Sequence, residues 1–192
     1  PDSKKLAFVL ETPEGLTLWS YSIAKKRLKQ VSKQLINASL GGSKYRWKHD
    51  SKALYTRLAI ASAAAKPKQS VQSIEPVIQQ TTGKKAAVRT YSNLLKSPYD
   101  EELFEFLGTS QLAEVSLKGR VKKLGDVGMI RNYDPSHDGN YILVSQYQRP
   151  FSYLVPAYRF PLLTQVWDTK GKLVKTIAEL PSGENIPWRK LF

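Results

Sequence analysis

Three stretches of the chain share one pattern: an Asp, a small residue, one or two polar residues, then a hydrophobic run. They are Asp2-Ser3-Lys4-Lys5 ahead of LAFVL, Asp50-Ser51-Lys52 ahead of ALY, and Asp138-Gly139-Asn140 ahead of YILV. The pattern describes a tight turn feeding a strand. The Asp carboxylate accepts backbone N–H groups ahead of it, and Ser or Gly tolerates the turn geometry. The nearly all-apolar runs predict strands buried on both faces. A unit of this size cannot bury its own hydrophobic faces, so its recurrence commits the chain to stacking neighbouring copies.

Each unit continues into a second element: LTLWSYSIAKKRLKQVS from Leu16 to Ser32, QLAEVSLKGRVKKLG from Gln111 to Gly125, and TQVWDTKGKLVKTI from Thr164 to Ile177. Their centres, Ala24-Lys25-Lys26, Lys118-Gly119 and Thr169-Lys170-Gly171, have hairpin-turn composition. Three or four strands in about 40–50 residues match one propeller blade. Asp2 and Asp50 are 48 residues apart, whereas Asp50 and Asp138 are 88 apart. The excess predicts an insertion at about residues 61–105, and a smaller one falls at about residues 148–162. The first insertion should contain a short helix from Tyr99 to Leu107. Pro98 precedes it, Asp100, Glu101 and Glu102 occupy its first turn, and Gly108 can end it.

The expected fold class is therefore all-β: one partial β-propeller domain over residues 1–192, with about three four-stranded blades and a long insertion containing a short helix. Closed propellers take about 4–8 blades. Three would leave apolar faces at both ends of the stack. The expectation is that the chain is part of a longer protein or self-associates through its exposed blade faces. Its start at Pro1, with the single Met internal at Met129, and its stop at Trp188-Arg189-Lys190-Leu191-Phe192 point the same way.

Composition removes several chemistries. With no Cys among 192 residues there is no disulfide, thiol nucleophile or thiolate metal site, and two His argue against a His-rich metal centre. No metal site and no cofactor are expected, since neither a Gly-x-x-x-x-Gly-Lys-Ser/Thr loop nor a Gly-x-Gly-x-x-Gly loop occurs. The apolar runs are far shorter than the ~18 residues of a membrane helix, so no membrane span is expected. The net charge of +14 is uneven: residues 1–60 carry twelve basic and four acidic groups, residues 61–110 six and five, and residues 111–192 twelve and seven. Such a balance suits solvated outward faces, or a surface for acidic peptide, acidic lipid or nucleic acid. No basic helix, aromatic RNA-binding strand or Cys/His finger supports nucleic acid, which is not expected as a partner.

Taken together, YRWKHDSKALYTRL, GKKAAVRTYSNLLKSPYDEELFEF, DPSHDGNYILVSQYQRPFSYLVPAYRFP and QVWDTKGKLVKTIAELP resemble the N-terminal propeller of prolyl oligopeptidase family serine peptidases, glutamyl endopeptidase-type. The likeness covers nearly the whole chain. Its more specific parts are Gly83-Lys84-Lys85 with Arg89-Thr90-Tyr91 and Leu94-Leu95, and Arg149-Pro150-Phe151-Ser152-Tyr153-Leu154-Val155-Pro156 with Arg159-Phe160-Pro161. His49 and His137 depart from it, standing where the repeat turn usually has Pro. The resemblance implies a propeller that gates and selects peptides for a C-terminal α/β-hydrolase domain, and a periplasmic or secreted location. That catalytic domain is absent from this chain: no Gly-x-Ser-x-Gly elbow occurs, and Gly41-Gly42-Ser43-Lys44-Tyr45 lacks the last Gly. No catalytic residue is expected here. The other reading is a stand-alone binding module whose basic surface holds an acidic partner.

The remaining candidates have plain accounts beside functional ones. His49 and His137 both precede a repeat Asp, so they read as turn residues rather than catalytic ones. Asp100, Glu101, Glu102 and Glu105 suit the positive end of a helix dipole, and could also pair with Lys84, Lys85 or Arg89. Trp19, Trp47 and Trp167 lie at strand positions and read as core. The functional expectation falls on the stretch from Gln148 to Pro161. If the parent enzyme cleaves after Glu, a cation must meet that carboxylate, and Arg can hold it with two parallel hydrogen bonds. Arg149 and Arg159 are the first candidates, Arg89 the third, with Tyr153 beside them for peptide contact. The same loop could instead pack one blade on its neighbour or on the hydrolase domain.

Overall fold

The computed structural model describes residues 2–60, 66–68, 91 and 93–185. Three antiparallel sheets follow one another along the chain. The first is β1 (Lys5–Thr12), β2 (Gly15–Ser22) and β3 (Arg27–Gln30). The second is β4 (Tyr45–Trp47), β5 (Ala53–Ala59), β6 (Ser110–Ser116) and β7 (Val121–Lys123). The third is β8 (Ile130–Pro135), β9 (Tyr141–Tyr147), β10 (Leu162–Asp168) and β11 (Leu173–Leu180). One helix, α1 (Pro98–Gly108), lies between β5 and β6. The predicted blades and hairpins are all present, except that the first sheet has three strands, with no counterpart of β4 or β8 among the described residues.

The repeat turn has the chemistry its sequence implies. Asp2, Asp50 and Asp138 each accept, through Oδ1, the backbone N–H two residues on, at 3.1, 2.9 and 3.1 Å. The intervening residue is left-handed each time: Ser3 (φ 54°), Ser51 (φ 57°) and Gly139 (φ 75°). The His before two of these Asp do not alter that geometry. Hydrogen bonds to Asp138, the largest effect coming from the Ser136 hydroxyl, lower its pKa to about 2.

These turns register the blades. Taking the three Asp as equivalent, β1, β5 and β9 are equivalent strands. Leu54 and Leu58 face the first blade, packing with Leu18, Val31 and Val115. Tyr55 faces the third, packing with Leu112, Tyr133, Ile142, Val144 and Trp167. Only β5 therefore meets the expectation of burial on both faces. β1 and β9 have a neighbour on one side only: Leu6 and Leu10 are 56% and 39% exposed, and Tyr141 and Leu143 are 45% and 42% exposed. Trp167 is core as expected, Trp47 is half-buried and packs against the core between the first two blades, and Trp19 is half-buried.

A buried cation joins the second and third blades. Arg57 on β5 is 2% exposed. Its Nη1 donates to the carbonyls of Ile130 (2.7 Å) and Arg131 (3.1 Å), and its Nη2 donates to the carbonyl of Gly41. Next to it the Tyr133 hydroxyl donates to the carbonyls of Ser43 (3.2 Å) and Tyr55 (3.3 Å), and burial pushes that phenol's pKa well up. Ser43 thus contributes a backbone acceptor here.

The blades have two unlike ends. The repeat turns and the β2–β3, β6–β7 and β10–β11 hairpin turns share one end: Ile23 N–H donates to the Lys4 carbonyl (3.1 Å) and Leu117 N–H to the Lys52 carbonyl (3.0 Å). The β1–β2 turn and the β5–β6 and β9–β10 connections leave from the other.

Candidate functional site

Helix α1 and the β9–β10 connection meet at this second end. The Ser97 hydroxyl caps α1 by accepting the Asp100 N–H (3.2 Å), and Pro98 opens the helix, where no N–H is needed. Asp100 Oδ2 accepts the Lys96 N–H at 2.9 Å. At the far end the helix closes without a left-handed Gly: Thr109 is the cap, in extended conformation, and its N–H donates to the Glu105 carbonyl at 2.9 Å. Asn37 Nδ2 donates to the carbonyls of Leu107 and Thr109, both at 2.9 Å. Gly108 serves packing instead of termination, since a Cβ there would lie 2.8 Å from Met129 and 2.9 Å from Leu40.

The helix docks through Phe104. Its ring meets Phe151 edge-on at 5.3 Å and Phe160 at 5.6 Å, while Phe151 and Phe160 stack at 5.3 Å. Val155, Tyr147 and Met129 complete the cluster. Two of the four aromatics in the β9–β10 connection, Phe151 and Phe160, are thus core, and Tyr153 and Tyr158 are exposed. Ser152 Oγ tightens the loop by accepting the N–H groups of Leu154 (2.9 Å) and Val155 (3.2 Å).

An ion cluster covers this seam. Arg149 donates from Nη1 to Glu101 (2.5 Å) and from Nε and Nη2 to Glu105 Oε2 (3.0 and 2.6 Å). Its guanidinium lies 5.1 Å from the Phe151 ring centre. The Tyr153 hydroxyl donates to the other Glu101 oxygen at 2.7 Å. The hydrogen bond to Glu105 raises the Arg149 pKa further, and the bond to Glu101 raises that of Tyr153. Glu101 is the more buried acid, its side chain 16% exposed against 43% for Glu105.

The structure therefore brings Arg149 and Tyr153 together. Arg159 sits in a short 3-10 turn, Ala157–Arg159, and donates to the Tyr91 hydroxyl at 3.3 Å. Arg89, Lys84 and Lys85 lie outside the described residues, so the pairing expected between them and the helix acids lies there too. What sequence reasoning missed is that Glu101 and Glu105 meet Arg149. Their i, i+4 spacing puts both on one helix face, which signals a shared cation without naming it. Below Arg149 a cleft of about 650 Å³ runs along β10, bordered by Glu105, Asp126, Gln146, Gln148, Gln165 and Trp167. Among the described residues no group of three His, Asp or Glu side chains could hold a metal, and no helix is long and apolar enough to cross a membrane.

No family model matches the chain. Two plant proteins named "Probable glutamyl endopeptidase, chloroplastic" are similar in sequence: that of Oryza sativa subsp. japonica is 36% identical and that of Arabidopsis thaliana 37% identical, each over 141 residues. The match takes in 73% of this chain but 15% of each relative, so the chain spans about 15% of the length of the curated relatives it matches. Among solved structures, the acylaminoacyl peptidase of Pyrococcus horikoshii superposes with a TM-score of 0.53 at 15% identity, over 94% of this chain and 24% of that one. The β-propeller domain of the Trilobed protease from Pyrococcus furiosus gives 0.50 at 11% identity, over 94% of this chain and 41% of that domain. The fold is that of a β-propeller, and the suspected likeness to a peptidase propeller of glutamyl endopeptidase type is borne out.

Proposed function

We propose that this chain is the non-catalytic propeller segment of a prolyl oligopeptidase-type serine peptidase, and that its insertion end meets peptides bound for a hydrolase domain elsewhere in the longer polypeptide. The similarity to the plant glutamyl endopeptidases carries this reading. The exported location belongs to the same proposal; the named relatives are chloroplastic.

The Arg149 cluster suits a selecting role because it already holds two carboxylates. Glu105 is the more exposed of its acids, so an incoming glutamyl side chain can replace it on the Nε/Nη2 edge of the fork. Glu101, held also by Tyr153, keeps Arg149 in place meanwhile. Arg159 and Arg89 are proposed to contact peptide as well. In the intact polypeptide, Arg149→Met is expected to raise KM for Glu-containing peptides about tenfold, the worth of one charge-assisted hydrogen bond. kcat should change little, and Arg149→Lys should fall between. An equal loss on peptides without acidic residues would remove Arg149 from selection. The isolated chain should hydrolyse neither kind of peptide.

We also propose that the open blade faces associate. The first blade shows Leu6, Leu10 and Leu28, and the third shows Tyr141, Leu143 and Leu180. By the repeat register these two faces are complementary in the sense that the second and third blades already are. Further blades of the longer polypeptide would cover them; in the isolated chain they can cover each other head to tail. Sedimentation of the isolated chain is expected to give a mass well above 21.7 kDa, and a clean monomer would sink this proposal.

A further inference from the structure

The end of the blades opposite α1 carries an array of cations that make no salt bridge among the described residues, and we propose that it docks on an anionic lipid bilayer surface. This inference does not depend on the peptidase reading.

The array follows from topology. Each of the three outer hairpins turns at this end, and each turn is basic: Lys25 and Lys26 in the first blade, Lys118 and Arg120 in the second, Lys170 and Lys172 in the third. All six side chains belong to exposed residues. The hairpins form one row. Lys29 of the first blade donates to the Leu117 carbonyl of the second at 3.2 Å, and Lys122 of the second donates to the Thr169 carbonyl of the third at 2.8 Å. The repeat turns stand beside them and also touch: Asp2 N–H donates to Ser51 Oγ at 3.1 Å.

The Asp carboxylates of the turns at this end accept backbone N–H groups, and Asp134 beside them faces Arg46. Asp2, Asp50 and Asp138 hold their own turns, and Asp168 accepts the N–H groups of Lys170 (2.8 Å) and Lys172 (2.9 Å). None of the six hairpin cations makes a salt bridge among the described residues; those that exist are Arg46–Asp134, Lys48–Glu114 and Arg149 with Glu101 and Glu105. Asp168 also attracts Lys170, but the hairpin turns hold more cations than acids, and such an excess can gain from an external anion.

The chemistry of the turns selects among anions. Aliphatic side chains stand exposed beside the lysines: Ile23 (48%), Leu173 (49%) and Val174 (53%). Lys with exposed aliphatic residues suits the boundary between lipid headgroups and acyl chains. The hairpin turns contain no Phe, Tyr or Trp, and Tyr141 beside the third repeat turn is a single exposed ring, short of a run of stacking platforms for bases. The cations sit on the turns of three successive hairpins, a spread that matches an extended anionic plane better than a single acidic peptide strand.

Vesicle co-sedimentation of the intact polypeptide tests the proposal. The probes are phosphatidylcholine vesicles with and without about one-third phosphatidylglycerol. Binding is expected only with phosphatidylglycerol, and should largely vanish at about 1 M salt, where the screening length falls to about 3 Å. Lys25→Glu/Lys118→Glu/Lys170→Glu should lower binding at least about tenfold, since each basic group near an anionic surface contributes measurably. Ile23→Ser/Leu173→Ser should weaken it less, without changing its salt dependence. All five positions are exposed, and an unchanged thermal midpoint confirms that the variants fold. Absence of binding at low salt, or equal binding by the triple variant, overturns the assignment. So does capture of single-stranded DNA or an acidic polypeptide by the same lysines without vesicle binding.

Discussion

Gly171→Ala is expected to destabilise the fold by about 3–5 kcal/mol, combining left-handed backbone strain with a steric overlap that cannot relax. Gly171 ends the β10–β11 turn at φ 84°. A Cβ there would lie 2.0 Å from the Gly125 nitrogen and 2.6 Å from the Leu124 carbonyl carbon. Both are backbone atoms of the β7–β8 connection, so no rotamer change makes room. The third blade's hairpin rests here directly on the second blade's main chain. Gly41→Ala separates the two contributions: its φ is 70°, but nothing lies within 4 Å of the added methyl. It should cost only the conformational part, about 1–2 kcal/mol. Urea unfolding midpoints of the two variants decide the matter, and equal losses would refute the inter-blade contact as the cause.

Arg57→Ala is expected to cost about 3–5 kcal/mol, through a cavity plus unsatisfied buried carbonyls. Arg57 is an unusual core residue, a cation whose partners are carbonyl dipoles of Ile130, Arg131 and Gly41. Its Nε has no hydrogen-bond partner among the described residues. Burial lowers its pKa, and among the described residues no carboxylate pairs with it. Arg57→Met keeps the volume and removes the desolvated charge, so it should lose less, about 1–3 kcal/mol. Were Arg57→Met as stable as the parent in chemical unfolding, the carbonyl contacts would contribute nothing net, and Arg57 would be a filler only.

The parts of this structure that could be read in the sequence are those that local chemistry decides. The Asp turns needed only a carboxylate two residues ahead of an N–H, and Asp2, Asp50 and Asp138 all supply it. The hairpins and α1 were legible for the same reason. What escaped depends on residues distant in sequence. Arg57 reads as one more basic residue in YTRLA until Ile130 and Arg131 arrive 73 and 74 positions later. Gly108 has the composition of a helix stop, yet Met129 and Leu40 set its role. The runs LAFVL and YILV look alike to ALY, but burial on both faces needs a neighbour on both sides, and only β5 has one. At the candidate site Arg149 was legible as a residue with carboxylate chemistry, whereas its partners on α1, 44 and 48 positions earlier, were not.

The linear order of strands within each sheet has a consequence for biosynthesis. β1-β2-β3 and β8-β9-β10-β11 each run in the order in which a ribosome would deliver them. Such sheets can zip up from near-neighbour pairings as soon as their last strand emerges, with little chain entropy lost to distant closure. The middle sheet cannot, because β5 ends at Ala59 and its partner β6 starts at Ser110. Until that delayed partner is made, one edge of β5 waits unpaired, beside an already finished first blade. The order of maturation should then be first, with the second and third close together, and the nascent chain is most in need of chaperone cover while residues 60–109 are being translated.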